Sequence, residues 1–412
     1  MGISTDRRLR QQLIFFSMLL MILGLFLSRV VLSSGLIACT AFCCVHKKFL
    51  QQLTYLFSNP LLLGVSLLLL IPVFTWFWSE DKLEWWRWIR VKLPLFILPV
   101  IFAGEWQLSS RQWRQLCRFF LLLVFAGCCW SIWQYLQNMH AVHLEYFRAK
   151  LIATPLENDH VRFSVLVCFA VIFCVKLFIR NPGSAEKIFL FLATVFFIFY
   201  LHLLSARTGL IGFYLFLMAS IVYLLLRLRK TKWMILLLSM LVLLPVASWF
   251  FLPTFQNRIR YVWYDLSLIR KNVYLPGAND GNRILSLRAG WTILQQHAGG
   301  VGSGDVMQKT MEWYRLNAPG VQASEQIYPS SEWLLYGDSA GWIGMVLFTL
   351  IMMLPFFEKN RKEKFFWFVL NFISAFSLLF DVGLETQFGV FIYAFLLLSL
   401  WKSGRKRIAD SG

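Results

Sequence analysis

The chain has 412 residues, 58% of them hydrophobic and 15% charged, with a net charge of +19 and a mean hydropathy of +0.62. Soluble domains run at about 45–50% apolar and about 25% charged, so the composition excludes a water-soluble globular protein and reads as an integral membrane protein. The excess Lys and Arg lies in short connections beside apolar runs, where it sets orientation and meets anionic headgroups; membrane lipid, and no nucleic acid, is the partner this charge implies.

Taken in chain order, Arg7, Arg8 and Arg10 precede a first apolar run that no small-residue cleavage site follows, which predicts an uncleaved first helix. A span needs about 20 mostly apolar residues. On that rule about twelve helices are predicted, near 12–28, 30–45, 60–78, 91–104, 117–136, 162–180, 187–204, 208–226, 233–252, 340–356, 364–380 and 386–402. All eight cysteines fall inside or at the edge of these runs, with no metal-type spacing and no disulfide framework, and read as small apolar fillers.

Placing the N-terminus in the cytoplasm makes every short connection on that side basic. These carry Lys47 and Lys48; Arg111, Arg114 and Arg118; Arg180 and Lys187; Arg227, Arg229 and Lys230; Lys359, Arg361 and Lys362; and the tail residues Lys402, Arg405, Lys406 and Arg407. The other side receives Arg29, the mixed-charge stretch 79–90, the loop 137–161, the turn at Ser205-Ala206-Arg207, the long stretch 253–338 and the acidic 381–385. The fold class is therefore an all-α membrane protein in three parts. Residues 1–252 carry nine spans, 253–338 form one large helical loop between spans nine and ten, and 339–412 carry three spans and a basic tail.

The large loop has helical patterning of its own. Ile259, Val262, Trp263, Leu266 and Ile269 recur at three- and four-residue steps, with Arg258, Asp265 and Arg270 off that face, as in a helix lying on a membrane surface. A second helix follows Asn279-Asp280-Gly281-Asn282, with Ile284, Leu287, Trp291 and Leu294 on one stripe, and stops at the glycine cluster 299–305. A third starts at Asp305 as N-cap and runs to Arg315.

Several constellations suit anion chemistry. Arg207 sits in a three-residue connection at membrane depth, where arginine is costly and commonly partnered; its planar fork suits phosphate. Arg283 opens the second loop helix, where side chain and helix terminus both favour an anion. Arg288 lies about 140° further round that helix. Gly302-Ser303-Gly304 lacks the following Lys-Ser/Thr and preceding strand of a P-loop, and reads as a tight turn. Glu157-Asn158-Asp159-His160 offers carboxylates and an imidazole as base or ligand, or alternatively a helix cap; with Arg162 it lies at the exterior mouth of a helix. Ser330 has no adjacent base, and Glu332 at a membrane boundary is a candidate base; the alternative for 328–333 is a capping Ser and an interfacial Trp anchor.

Three elements taken in order resemble the bacterial O-antigen ligase/polymerase superfamily. They are Ser205-Ala206-Arg207-Thr208-Gly209; Asn282-Arg283-Ile284-Leu285 with Gly290-Trp291 and the cluster 300–305; and the Pro329 segment followed by Gly341-Trp342-Ile343-Gly344. The resemblance implies transfer of a glycan from an undecaprenyl-diphosphate carrier to an acceptor hydroxyl, such as a lipid A–core sugar, on the periplasmic face of the inner membrane. It implies no metal and no cofactor. By matching position, Arg207 and Arg283 are the diphosphate-binding arginines, with Ser205, Arg162, Arg288 and Trp291 contributing to substrate binding. Where the family carries Pro-His-Asn, this chain has Pro329-Ser330-Ser331, and Ser330 takes the histidine's place. Either Glu332 or His160 supplies the proton acceptor, or base catalysis matters little because the leaving group is so good. A polymerase or a protein O-oligosaccharyltransferase uses the same donor. A transporter or flippase of lipid-linked glycans is the alternative of another class, which would show repeat symmetry, broken helices and ionisable groups in its spans.

Overall fold

Pro94 shows how local sequence sets the helix boundaries. Proline has no N–H to give a preceding turn, so it suits the first helical position and interrupts a helix elsewhere. The span predicted near 91–104 accordingly divides into Lys82–Lys92 and Pro94–Ala103. The first of these is capped by Asp81, whose carboxylate accepts from the N–H groups of Leu83 and Glu84 at 2.9 Å each.

The computed structural model describes residues 2–46, 48–146, 152–180, 182–271, 279–358 and 363–404. Among them every regular element is a helix. Nine helices are long and apolar enough to cross a membrane: Arg8–Leu27, Pro60–Phe77, Ser110–Gln137, His160–Ile179, Ser184–Leu204, Arg207–Leu228, Thr231–Phe251, Glu332–Phe357 and Gln387–Gly404. The bent pair Arg29–Cys44 and Phe49–Ser58 makes a tenth if it forms one span. The chain is thus an all-α, multi-pass membrane protein. The sequence predicts about twelve spans, and short helices make the difference. Pro94–Ala103 has 10 residues, a reach of about 15 Å against a hydrocarbon core of about 30 Å, and Lys364–Leu379 has 16. The basic residues Lys47, Lys359, Arg361, Lys362, Arg405, Lys406 and Arg407, which carry part of the orientation reading, lie outside the described residues.

The chain folds as two compact units, one comprising Met1–Phe119, Asn282–Lys364 and Leu378–Gly412, the other Phe120–Gly281 and Phe365–Ser377. The division between Gly281 and Asn282 falls inside the stretch 253–338, so the loop is shared between them. In the first unit Pro60–Phe74 packs against both Pro94–Ala103 and Glu332–Met353, and Tyr336 Oη donates to the Leu68 carbonyl at 2.6 Å. The helix predicted to start near 340 starts at Glu332 and is broken at Ala340 (φ −127°, ψ 18°) and Gly341 (φ 70°, ψ −164°).

In the second unit His160–Ile179 is the central helix, packed against Ser184–Leu204 and Arg207–Tyr223. It is apolar on all sides, and all of Val161–Cys174 is buried. Thr231–Phe251 is equally apolar, yet only Ser248 is buried; a surface that large and greasy requires lipid to cover it.

The loop helix Pro253–Arg270 carries the predicted stripe, with two of its large apolar residues turned outward. Trp263 is 67% exposed and Leu266 also faces out, whereas Arg258 and Asp265 (1% exposed) turn inward. Tyr261 Oη donates to Asp265 at 3.2 Å. The side chain of Ile269 lies outside the described residues. An outward apolar face beside apolar spans fits a helix resting at a membrane surface.

Candidate functional site

Within the first unit, the segment 328–338 is the spine on which the site residues are arranged. The helix Asn279–Gln296 lays Asn282, Ser286, Gly290 and Leu294, one per turn, along its buried side. Ser286 Oγ donates to Ser330 Oγ at 3.0 Å, and the Ser330 N–H donates back to Ser286 Oγ at 3.2 Å. A Cβ on Gly290 would stand 2.7 Å from Pro329 Cβ and 3.0 Å from Asp338 Oδ2, so the approach demands glycine. Tyr314 Oη donates to Asn282 Oδ1 at 3.1 Å, and burial pushes that phenol up to about 12.

This corrects the stripe read from sequence. Ile284 and Leu287 are half-buried, and Trp291 is 46% exposed, its ring edge-on to Trp342 at 5.8 Å. Close packing selects small residues at Ser286, Ala289 and Gly290, while Leu294, from the same stripe, and Ile293 are buried a turn later. The helix starts at Asn279, so Arg283 lies one turn inside it rather than opening it; Arg283 is half-buried and Arg288 exposed.

The glycine cluster is a turn whose N–H groups are already engaged. Val301 and Gly302 donate to the carbonyls of Asp338 and Ser339 at 2.7 and 3.0 Å. Ser303 and Gly304 donate to Thr75 Oγ1 and Ser79 Oγ at 3.0 and 3.2 Å. These donors face protein, so the turn reading stands over the phosphate cradle. Asp305 occupies the N-cap position of Val306–Asn317 but makes no side-chain cap. Its carboxylate reaches across instead, accepting from the N–H groups of Glu80 and Asp81 at 2.7 and 2.9 Å. Gly302→Ala is expected to lower the thermal midpoint of the purified protein. Gly302 has φ +94°, and its Cβ would meet Ser79 Oγ at 2.4 Å; the left-handed backbone alone is worth about 1–2 kcal/mol. An unchanged midpoint would refute this close packing.

Helix Lys82–Lys92 presents Glu84, Trp88 and Lys92 at four-residue steps to the same spine. Tyr328 Oη donates to Glu84 Oε1 at 2.8 Å, with its ring 5.9 Å from that of Trp88. Burial raises the Tyr328 phenol well above its usual range, and the Glu84 carboxylate adds to this, so it stays a donor. Lys92 is fully buried. Its ammonium bonds the Glu385 carboxylate and stands 5.1 and 5.2 Å from the Trp88 and Tyr336 rings. Glu332 is also fully buried, and its Oε1 accepts from the Leu384 N–H. Asp338 is buried with neither carboxylate oxygen hydrogen-bonded among the described residues.

In the second unit the remaining predicted residues lie at two helix N-termini. Asp159 caps His160–Ile179, accepting from the Arg162 N–H at 3.1 Å and from its guanidinium at 2.9 Å. The cap reading of 157–160 therefore holds, and Arg162 is paired. Leu156, Glu157 and Asn158 all have positive φ, at 63°, 58° and 66°, which turns the chain sharply into the helix. Ser205, also at positive φ (52°), ends Ser184–Leu204 and donates to the His202 carbonyl at 2.6 Å. Arg207 then opens the next helix and is half-buried. The Gly209 N–H donates to Ser164 Oγ at 3.1 Å, and a Cβ on Gly209 would stand 2.4 Å from the Ser164 carbonyl oxygen. The first turns of these two helices, one carrying His160 and Arg162 and the other Arg207, are thus locked together.

The structure gathers Arg283, Arg288, Trp291, Ser330 and Glu332 in one unit and His160, Arg162, Ser205 and Arg207 in the other. Sequence reasoning missed Lys92, Ser286, Asp305 and Asp338. A signal existed for Lys92, which shares a helix face with Glu84 and Trp88; Ser286 carried none. No protein-family model matches the chain, and no curated protein matches it at a significant level.

Proposed function

We propose that this chain is a glycosyltransferase of the ligase type. It moves a glycan from an undecaprenyl-diphosphate carrier to an acceptor hydroxyl, with a lipid A–core sugar as the favoured acceptor, at the periplasmic face of a bacterial inner membrane. The observation that carries the reading is the locked pair of helix starts around Arg207. Arg207 opens a helix whose first turn has no side-chain cap, so its N–H groups, its dipole end and an arginine fork together favour a diphosphate there. Arg283, one turn inside the helix Asn279–Gln296, offers a second guanidinium in the other unit. A polymerase or a protein O-oligosaccharyltransferase differs in acceptor rather than in this donor chemistry.

The reading is tested with purified protein, undecaprenyl-diphosphate-linked glycan and candidate acceptors, with and without a chelator. Transfer that survives chelation is expected, because arginines rather than a metal take up the leaving group's charge. Transfer to none of the acceptors would refute it. One observation favours a second reading, a flippase of the same lipid-linked glycan: Glu332 and Asp338 lie in the apolar helix Glu332–Phe357, which is broken at 340–341. Broken helices and buried ionisable groups are marks of transporters. Movement of the lipid-linked glycan across protein-containing liposomes, without transfer, would favour that second reading.

A further inference from the structure

The first turn of the helix Glu332–Met353 lacks a side-chain cap, since Ser331 at the N-cap position makes none. It is fixed from outside. Glu332 sits at the first helical position, where a negative charge is favoured by the helix dipole, and Oε1 accepts from the Leu384 N–H. The neighbouring residue Glu385 binds the ammonium of the fully buried Lys92, which also donates to the Leu384 carbonyl at 3.4 Å. Lys92, Glu385 and Asp381 all act electrostatically on Glu332. The ammonium thus meets the Glu385 carboxylate, the Leu384 carbonyl and the faces of Trp88 and Tyr336, and Glu332 holds the N–H of the same Leu384.

Buried charges persist only when paired. This cluster ties three distant pieces of chain together: the helix Lys82–Lys92, the segment 381–385 and the start of Glu332–Met353. Immediately before Glu332 stands Ser330, whose hydroxyl meets Ser286 on the helix that carries Arg283. Shifting the first turn of Glu332–Met353 would shift that hydroxyl pair.

We propose that Glu332 is a positioning residue rather than the proton acceptor: with Lys92 and Glu385 it forms a buried charge clamp that sets Ser330 against Ser286. Its location argues the same way. A proton acceptor has to reach the attacking hydroxyl, and Glu332 is fully buried with one oxygen committed to Leu384. The clamp rests on the contacts that join Glu332 and Lys92 through Leu384 and Glu385, whereas its effect on the acceptor rests on the glycosyltransferase reading.

Full-length Glu332→Gln, Lys92→Met and the double variant, each in lipid nanodiscs, test both parts. Lys92→Met strands the carboxylates and is expected to lower the thermal midpoint; adding Glu332→Gln removes one stranded charge and is expected to restore part of the loss. An equal loss in both backgrounds would overturn the clamp. If Lys92→Met does not accumulate as folded protein, recovery of the double variant supports the clamp, and failure of both leaves Glu332→Gln kinetics to decide.

In transfer assays with lipid-diphosphate-linked glycan, Glu332→Gln keeps an acceptor atom for Leu384 but loses the charge. It is expected to raise the acceptor KM roughly tenfold, the scale of one displaced hydrogen bond, with most of kcat retained. A kcat loss of about 100-fold or more at unchanged KM, the scale of a general base, would make Glu332 the proton acceptor and overturn the proposal. Absence of transfer by the wild type would instead overturn the glycosyltransferase reading, with the thermal comparison still deciding the clamp.

Discussion

Arg207→Ala and Arg283→Ala are each expected to lower kcat for glycan transfer by about 100- to 1,000-fold, the range seen when one preorganised donor to a developing negative charge is removed. The proposed reaction explains the size. The acceptor oxygen bonds the anomeric carbon while the bond to the lipid diphosphate breaks; the diphosphate leaves with the electron pair, and the hydroxyl proton passes to it, directly or through water. Charge grows on the leaving oxygens as the bond lengthens, so a guanidinium there stabilises the transition state more than the ground state and acts on kcat. Lysine retains the charge but not the two-pronged geometry, so Arg207→Lys should recover part of the loss and Arg207→Gln very little. Arg207 is half-buried at the start of its helix, and thermal unfolding of each variant separates a catalytic loss from a folding one. A folded Arg207→Ala protein with wild-type kcat would sink the assignment.

Asp305→Ala carries the largest expected effect on stability. Its two carboxylate oxygens hold the N–H groups of Glu80 and Asp81, the residues that lead into Lys82–Lys92, and the side chain is buried. Removing it leaves two donors without their partner, a loss of about 2–4 kcal/mol. Asn is a poor substitute, because its amide NH2 would face one of those donors. Denaturant or thermal unfolding in detergent should place Asp305→Asn nearer to Asp305→Ala than to wild type. The effect should also reach Lys92 and Trp88 through the helix, seen as faster proteolysis at 76–92. Wild-type stability of Asp305→Ala would mean that the glycine turn and this helix do not depend on each other.

Much of the architecture was legible without coordinates. Apolar runs of about 20 residues mark most of the spans, Asp159 is readable as a cap from its place before an apolar helix, and the three loop helices begin and end close to where patterning puts them. Periodicity says which residues share a helix face, but it does not say what that face meets. In Pro253–Arg270 Trp263 and Leu266 face out, as a helix on a membrane surface requires, while Arg258 and Asp265 go inside. In Asn279–Gln296 the stripe divides: Leu294 is buried and Trp291 exposed, and the small Ser286, Ala289 and Gly290 are buried where neighbours press against Gly290.

The sequence by itself determined a helical, multi-pass membrane protein with arginines at helix starts, because hydropathy, capping and charge act over a few residues. Tertiary structure alone decided what those residues meet. Ser286 finds Ser330 across 44 positions, and Lys92 finds Glu385 across 293. Such pairings arise from close packing and from the penalty for leaving a buried charge alone, and neither leaves a local pattern in the chain.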